Sequence, residues 1–201
     1  MNNNENLITF CKNPIDLFDE WYELAKKNEL SDPNAMNFSS VSKNKKPSSR
    51  IVLLKSYNKK GFIFFTNSNS KKISSILVNN FVALNFYWKS VKRQIRIEGK
   101  IYKISKKESD KYFNSRPRQS KIGAWASEQS KKLTDRSELL KKYEKINKLY
   151  KNKKVPRPNY WNGYIVKPNL FEFWQDMPFR LHDRLEYKKN KKGWSSSRLY
   201  P

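Results

Sequence analysis

The chain has 201 residues, 37% of them hydrophobic and 30% charged, enough for one domain with a buried core and short for two. A single cysteine (Cys11) excludes an internal disulfide and, with a single histidine (His182), leaves no zinc cluster. The start MNNNENLITF lacks the basic and long apolar regions of a signal peptide and no apolar run nears the roughly 20 residues of a membrane span, so a cytoplasmic location is expected.

The net charge of +25 invites a nucleic-acid reading. The lysines, however, are spread over nearly every segment, and no helix-turn-helix, finger or RNP pattern accompanies them, so the charge reads mainly as a solvated face.

Residues 1–13 read as a flexible arm and residues 14–201 as a single domain. Pro14 opens a helix to about Lys27, whose apolar face is Ile15, Leu17, Phe18, Trp21, Tyr22, Leu24 and Ala25. The stretch 31–49 reads as turns. IVLLK (Ile51 to Lys55) and FIFFT (Phe62 to Thr66) flank a turn at Asn58 to Gly61 and predict a hairpin buried on both faces. A short helix from about Ser70 to Asn79 precedes a third strand, Val82 to Trp88. In the fourth, Gln94 to Ile104, the residues Ile95, Ile97, Gly99 and Ile101 alternate with Gln94, Arg96, Glu98 and Lys100, so polar side chains line one side of the sheet. Ser105 and Glu108 have the capping-box spacing for a helix through Phe113. Asp135 to Tyr150 predicts another helix, with Leu139, Leu140, Tyr143, Ile146 and Leu149 inward. Strands at Tyr164 to Lys167, Leu170 to Gln175, Leu185 to Lys189 and Trp194 to Leu199 complete the chain. Strands outnumber helices and hairpins dominate, which predicts a mainly β (α+β) fold, an antiparallel barrel with peripheral helices.

Five glycines, at 61, 99, 123, 163 and 193, are too widely spaced for a dinucleotide fingerprint or a P-loop. A phosphorylated ligand would have to be held by side chains. Arg50 and Lys55 stand about 17 Å apart on an extended strand, a separation suited to gripping two ends of a long ligand. Ser70, Lys71 and Lys72 sit at a helix start, and Tyr112, Arg116, Arg118 and Ser120 cluster in KYFNSRPRQS. The segment FEFWQDMPFRLHDR places His182 between Arg180 and Arg184, after Phe171, Phe173 and Trp174, where a flat ring could stack and an anion be held. Taken one by one, these are also a basic turn, core aromatics and a capped helix start.

PNAM, RIVLLK, FFTNSNSKK, Arg93-Gln94, KYFNSRPRQSKIGAWAS, EQS, FEFWQ, RLHDR and the closing RLYP, in that order, resemble successive blocks of the pyridoxine/pyridoxamine 5′-phosphate oxidases. The resemblance implies an FMN-binding split β-barrel, a homodimer with its sites between subunits, and oxidation of pyridoxamine and pyridoxine 5′-phosphates to pyridoxal 5′-phosphate. A hydride equivalent would pass from the substrate C4′ to flavin N5, and oxygen would take the electrons to give hydrogen peroxide.

Carried over by position, the implied FMN contacts are Arg50, Ile51, Val52, Leu53, Leu54, Lys55, Phe65, Thr66, Lys71, Lys72, Gln94, Gln129, Ser130, Trp174 and Arg184. Lys55, Tyr112, Arg116 and Ser120 would bind the vitamin phosphate, and Arg180, Leu181 and His182 would face the reacting carbon, with Arg180 and His182 catalytic. Lys71 stands where the family often has arginine, which turns a fork into a point charge. Asp176 to Phe179 is less glycine-rich than in many relatives, and the arm lacks the Arg and Tyr of a lid that some relatives carry. Two other readings remain: a split-barrel protein that binds a flavin or pyridoxal phosphate without turnover, and a basic nucleic-acid-binding protein.

Overall fold

Strand β7, Trp161–Gln175, organises the sheet. In the computed structural model, which describes residues 7–201, its first half pairs with β4 (Gly61–Asn67) and its second half with β8 (Asp183–Asn190). On its other edge, β6 (Arg93–Lys103) runs antiparallel along nearly all of it. The sheet continues through β5 (Phe81–Trp88), β1 (Ala35–Val41) and β2 (Pro47–Leu53) on one side. The short β3 (Ser56–Asn58) flanks β4, and β9 (Gly193–Arg198) flanks β8. Every pairing is antiparallel, and the mainly β fold with peripheral helices is as expected.

The two strands expected at 164–167 and 170–175 are one. Pro168 is tolerated because the β6–β7 register shifts there, at Glu98/Gly99, and an irregularity is where a strand can lack an N–H. Gly99 has no room for a side chain, since a methyl group would meet the Lys167 carbonyl.

Helix α1 (Pro14–Asn28) starts where expected: Asn13 accepts the Ile15 N–H at 3.0 Å, and Pro14 needs no donor there. It buries Ile15, Leu17, Phe18, Trp21 and Ala25. The Phe18 ring meets Phe62 at 4.8 Å and Phe86 at 5.3 Å, edge-on in each case. Ile95, Ile97 and Ile101 of β6 face the same core.

Several expectations are corrected. The supposed turns at 31–49 contain β1 and the start of β2, which pair with each other, with Met36, Phe38 and Ser40 buried on alternate positions. Consequently 51–53 does not pair with 62–66; the turn at 58–61 joins β3 to β4. Nor is the 51–55 segment buried on both faces, for Ile51 is 64% exposed. Helices α2 (Lys71–Ile76) and α3 (Lys106–Ser115) match, but α4 (Arg118–Ala126) was not anticipated. Helix α5 (Arg136–Leu149) forms behind Asp135 yet buries no residue, and Leu140 and Leu149 stay exposed.

Of the expected flexible arm, residues 1–6 lie outside the described residues. Residues 7–13 are held against β8 and β9: Ile8 is buried, its N–H donates to Asp183 at 2.7 Å, and Arg198 donates to its carbonyl at 3.0 Å. The Cys11 N–H donates to the Tyr187 hydroxyl at 3.1 Å. No helix among the described residues is long and apolar enough to cross a membrane.

Phe18→Ala should empty the centre of the core and lower stability by about 3–5 kcal/mol in urea unfolding. A loss below about 1 kcal/mol would contradict this packing.

Candidate active site

A cleft of about 680 Å³ opens between β2 and β4, beside the junction of α3 and α4. Arg50, Ile51, Val52 and Leu53 line it from β2, Lys55 from the link between β2 and β3, Phe65 and Thr66 from β4, and Lys72 from α2. Tyr112, Arg116, Ser120 and Gln129 complete the predicted set in this cleft. Lys71 and Ser130 meet at its edge, with the Lys71 N–H 3.4 Å from the Ser130 hydroxyl. Leu54 differs: its side chain is in the core, its N–H donates to Asn34, and Asn34 donates to its carbonyl.

Local sequence explains why Arg116 faces the cleft. Pro117 bars α3 from continuing, so Arg116 turns extended and α4 starts afresh at Arg118. The Arg116 guanidinium lies 4.7 Å from the Trp161 ring, and Tyr112 stacks on Phe65 at 4.0 Å and 13°. Trp161, Ser115 and Pro117 also line the cleft and were not singled out; Ser115 and Pro117 lie within KYFNSRPRQS, whereas no motif marks Trp161. Arg118, by contrast, serves the fold, donating to the Asn147 and Tyr150 carbonyls at the end of α5.

The cleft is basic without compensation. None of the ion pairs among the described residues involves Arg50, Lys55, Lys72 or Arg116. Arg50 donates to the hydroxyls of Ser40 and Ser48 and to the Phe38 and Ser48 carbonyls. Lys72 donates to Thr66 Oγ1 at 3.1 Å and Ser70 Oγ at 3.3 Å. Burial, then the charge of Arg50, pushes the Lys72 ammonium below its usual range. Burial likewise lowers Arg116, whose Nη1 is buried with no hydrogen-bond partner among the described residues. Such an array leaves room for anions.

The other predicted residues lie elsewhere. Gln94, Trp174 and Arg184 are paired across β6, β7 and β8, so they share one face, opposite Ile95, Phe173 and Leu185 of the core. His182 sits beside them, its ring 4.6 Å from that of Trp174. The Met177 N–H points at His182 Nδ1 from 3.2 Å. Asp176 Oδ1 lies 3.1 Å from the same nitrogen. The turn before it holds Phe179 and Arg180 at φ 59° and 61°, left-handed conformations costing about 1–3 kcal/mol each. Trp174 and the β4-paired end of β7 at Asn162 are 12 residues apart, about 40 Å of extended strand. None of this second group lines the cleft.

Two family models cover most of the chain: residues 24–150 match one described as pyridoxamine 5′-phosphate oxidase, and residues 161–201 match the pyridoxine 5′-phosphate oxidase C-terminal dimerisation region. The chain belongs to the pyridoxamine 5′-phosphate oxidase family. A pyridoxine/pyridoxamine 5′-phosphate oxidase of Granulibacter bethesdensis is 48% identical over 193 residues, 94% of this chain and 91% of that protein. The protein of the same name from Haemophilus influenzae is 47% identical over 94% of this chain and 90% of its own. Among solved structures, PhzG from Burkholderia lata 383, in complex with tetrahydrophenazine-1-carboxylic acid, aligns with a TM-score of 0.90 at 29% identity, covering 95% of this chain and 94% of that one. The split-barrel fold of the family is therefore the fold of this protein.

Unpaired buried cations cost stability until an anion arrives. Lys72→Met keeps the stem and removes the charge, so the ligand-free protein should gain about 1 kcal/mol in urea unfolding at neutral pH. Because the pKa of Lys72 is lowered from 10.5, that cost is present wherever the amine is charged, and it fades as pH rises past the lowered pKa towards 10.5. The variant should also lose the stabilisation that inorganic phosphate gives the wild type. An unchanged phosphate response would contradict an anion site at Lys72.

Proposed function

We propose that this chain is an FMN-dependent oxidase that converts pyridoxamine 5′-phosphate and pyridoxine 5′-phosphate to pyridoxal 5′-phosphate. The observation that carries the reading is Arg116 Nη1, a buried donor without a partner in a basic cleft shared with Lys55, Tyr112 and Ser120. A phosphate ester supplies the acceptor oxygens that these four groups lack. Family membership, and relatives at nearly half identity along almost the whole chain, point the same way.

Arg50 and Lys72 suit the phosphate of FMN: they are fixed by serine and threonine hydroxyls, and no carboxylate among the described residues competes for them. Thr66, Gln129, Lys71 and Ser130 border that end, and Gln94, Trp174 and Arg184 would meet the flavin ring. Bound there, FMN supplies the two-electron redox chemistry, with oxygen as final acceptor and hydrogen peroxide as product. The amine substrate ends as aldehyde and ammonia after water is added, whereas the alcohol gives the aldehyde directly. Arg180 and His182 would sit at the reacting carbon.

One chain does not assemble all of these parts. The cleft and the His182 group lie towards opposite ends of β7, and both carry exposed apolar residues, Ile51 beside the first and Phe179 and Leu181 beside the second. A homodimer in which the second copy lays its Gln94, Trp174, Arg180, His182 and Arg184 over the cleft supplies what is missing, and the matched dimerisation region supports it.

Purified protein supplied with FMN should release peroxide with pyridoxamine 5′-phosphate and very little with pyridoxamine, which lacks the phosphate. Arg116→Ala should keep FMN affinity and raise KM for the phosphorylated amine at least about tenfold. His182→Ala and Arg180→Ala should keep FMN and lower kcat by about a hundredfold. Full FMN binding without peroxide from either phosphorylated substrate would refute the enzyme reading.

A further inference from the structure

Glu172 is a buried carboxylate to which none of the roles above assigns a task. It lies between Phe171 and Phe173 of the core, so its side chain points to the opposite face, the one that carries Gln94, Trp174 and Arg184. Its side chain is only 6% exposed. Burying a carboxylate costs several kcal/mol unless its partners are well placed, and an apolar residue would serve packing at least as well. The partners are two arginines. Oε2 takes Arg96 Nη1 at 2.8 Å, while Oε1 takes Arg184 Nε at 3.0 Å and Nη2 at 2.9 Å.

Arg184 is held from another side as well. Its Nη1 donates to the Tyr200 carbonyl at 2.6 Å, and the Leu199 N–H returns to the Arg184 carbonyl at 3.0 Å. Three of the five guanidinium N–H groups are thus engaged within the protein, and one on each terminal nitrogen remains for an outside acceptor. A guanidinium on a flexible stem normally loses rotamer entropy when it binds, and a fork already fixed has lost it beforehand.

We propose that Glu172 is a positioning residue for Arg184, fixing the guanidinium so that its two remaining donors face the flavin. The inference rests on the proposal that this face meets FMN. Glu172 touches neither cofactor nor substrate and acts through Arg184 alone; Arg96, on the other carboxylate oxygen, balances the charge.

The test is FMN affinity of the apo-protein, read from quenching of flavin fluorescence, beside thermal unfolding of the same samples. Glu172→Gln keeps the shape but loses the charge and one acceptor, and it should weaken FMN at least about tenfold. Arg96→Gln leaves the Glu172–Arg184 contact intact, and its FMN affinity should stay within about threefold of wild type even where its melting temperature falls. In an Arg184→Ala background, Glu172→Gln should weaken FMN little further. Glu172→Asp keeps the charge one methylene back and serves if the glutamine variant does not fold; it too should weaken FMN. Wild-type affinity in the glutamine or aspartate variant, equal weakening by Glu172→Gln and Arg96→Gln, or full additivity with Arg184→Ala would each reduce Glu172 to a structural role. Wild-type protein that takes up no FMN would overturn the flavin reading and this inference together, a result distinct from any of those.

Discussion

Strand β7 changes neighbours halfway along one edge, with β4 on its first half and β8 on its second, and the arrangement of the site follows from that change. Its hydrogen-bond ladder has to be satisfied over 15 residues, so the two neighbours are held at opposite ends. Through β4 it positions Phe65 and Thr66 at the cleft. Through β8 it sets Arg184 beside Trp174, and through β6 it adds Gln94 to the same row. The register shift at Gly99 and Pro168 lies between the two halves. On the proposed reading, the chain presents two half-sites at opposite ends of one strand, and a second copy is the economical way to bring them together.

The distribution of charge matches this division. With 43 basic and 18 acidic residues, the chain has few carboxylates to place. In the C-terminal half-site they hold basic groups in position: Glu172 holds Arg96 and Arg184, Asp183 holds Arg198, and Asp176 lies against His182. In the cleft no acidic side chain among the described residues pairs with Arg50, Lys72 or Arg116, as the proposed phosphate sites require. The overall charge of +25 taken alone pointed towards nucleic acid; what informs on function is where the acids are missing.

Much of this was legible in local chemistry. The alternation around Ile95 and Ile97 marked the inward face of β6, and the Ser105–Glu108 capping box forms with both of its bonds. Asn13 and Pro14 marked the start of α1. The hairpin of β1 and β2 was obscured because its asparagines, serines and lysines read as turns, and because pairing depends on partners that no short window contains. Ile51 to Lys55 read as core on apolarity alone, whereas Ile51 borders an open cleft. The site residues were reached through ordered sequence blocks and not through spacing, since no local pattern tells which end of β7 a residue occupies. Glu172 carried no signal: a single carboxylate between two phenylalanines has no motif, and its partners emerge only from the pairing of three strands.

The central claim is that a working site takes residues from two chains, and mixed dimers test it most directly. Arg116→Ala disables the cleft and His182→Ala disables the C-terminal half-site. When the two variants are co-expressed with different tags and purified through both, each hybrid dimer holds one doubly defective site and one intact site. With the phosphorylated amine held well below the wild-type KM, the account predicts peroxide release at about half the wild-type rate per dimer, far above either variant alone. Hybrid activity no higher than that of the parent variants would show that each site is built within one chain and would contradict the account.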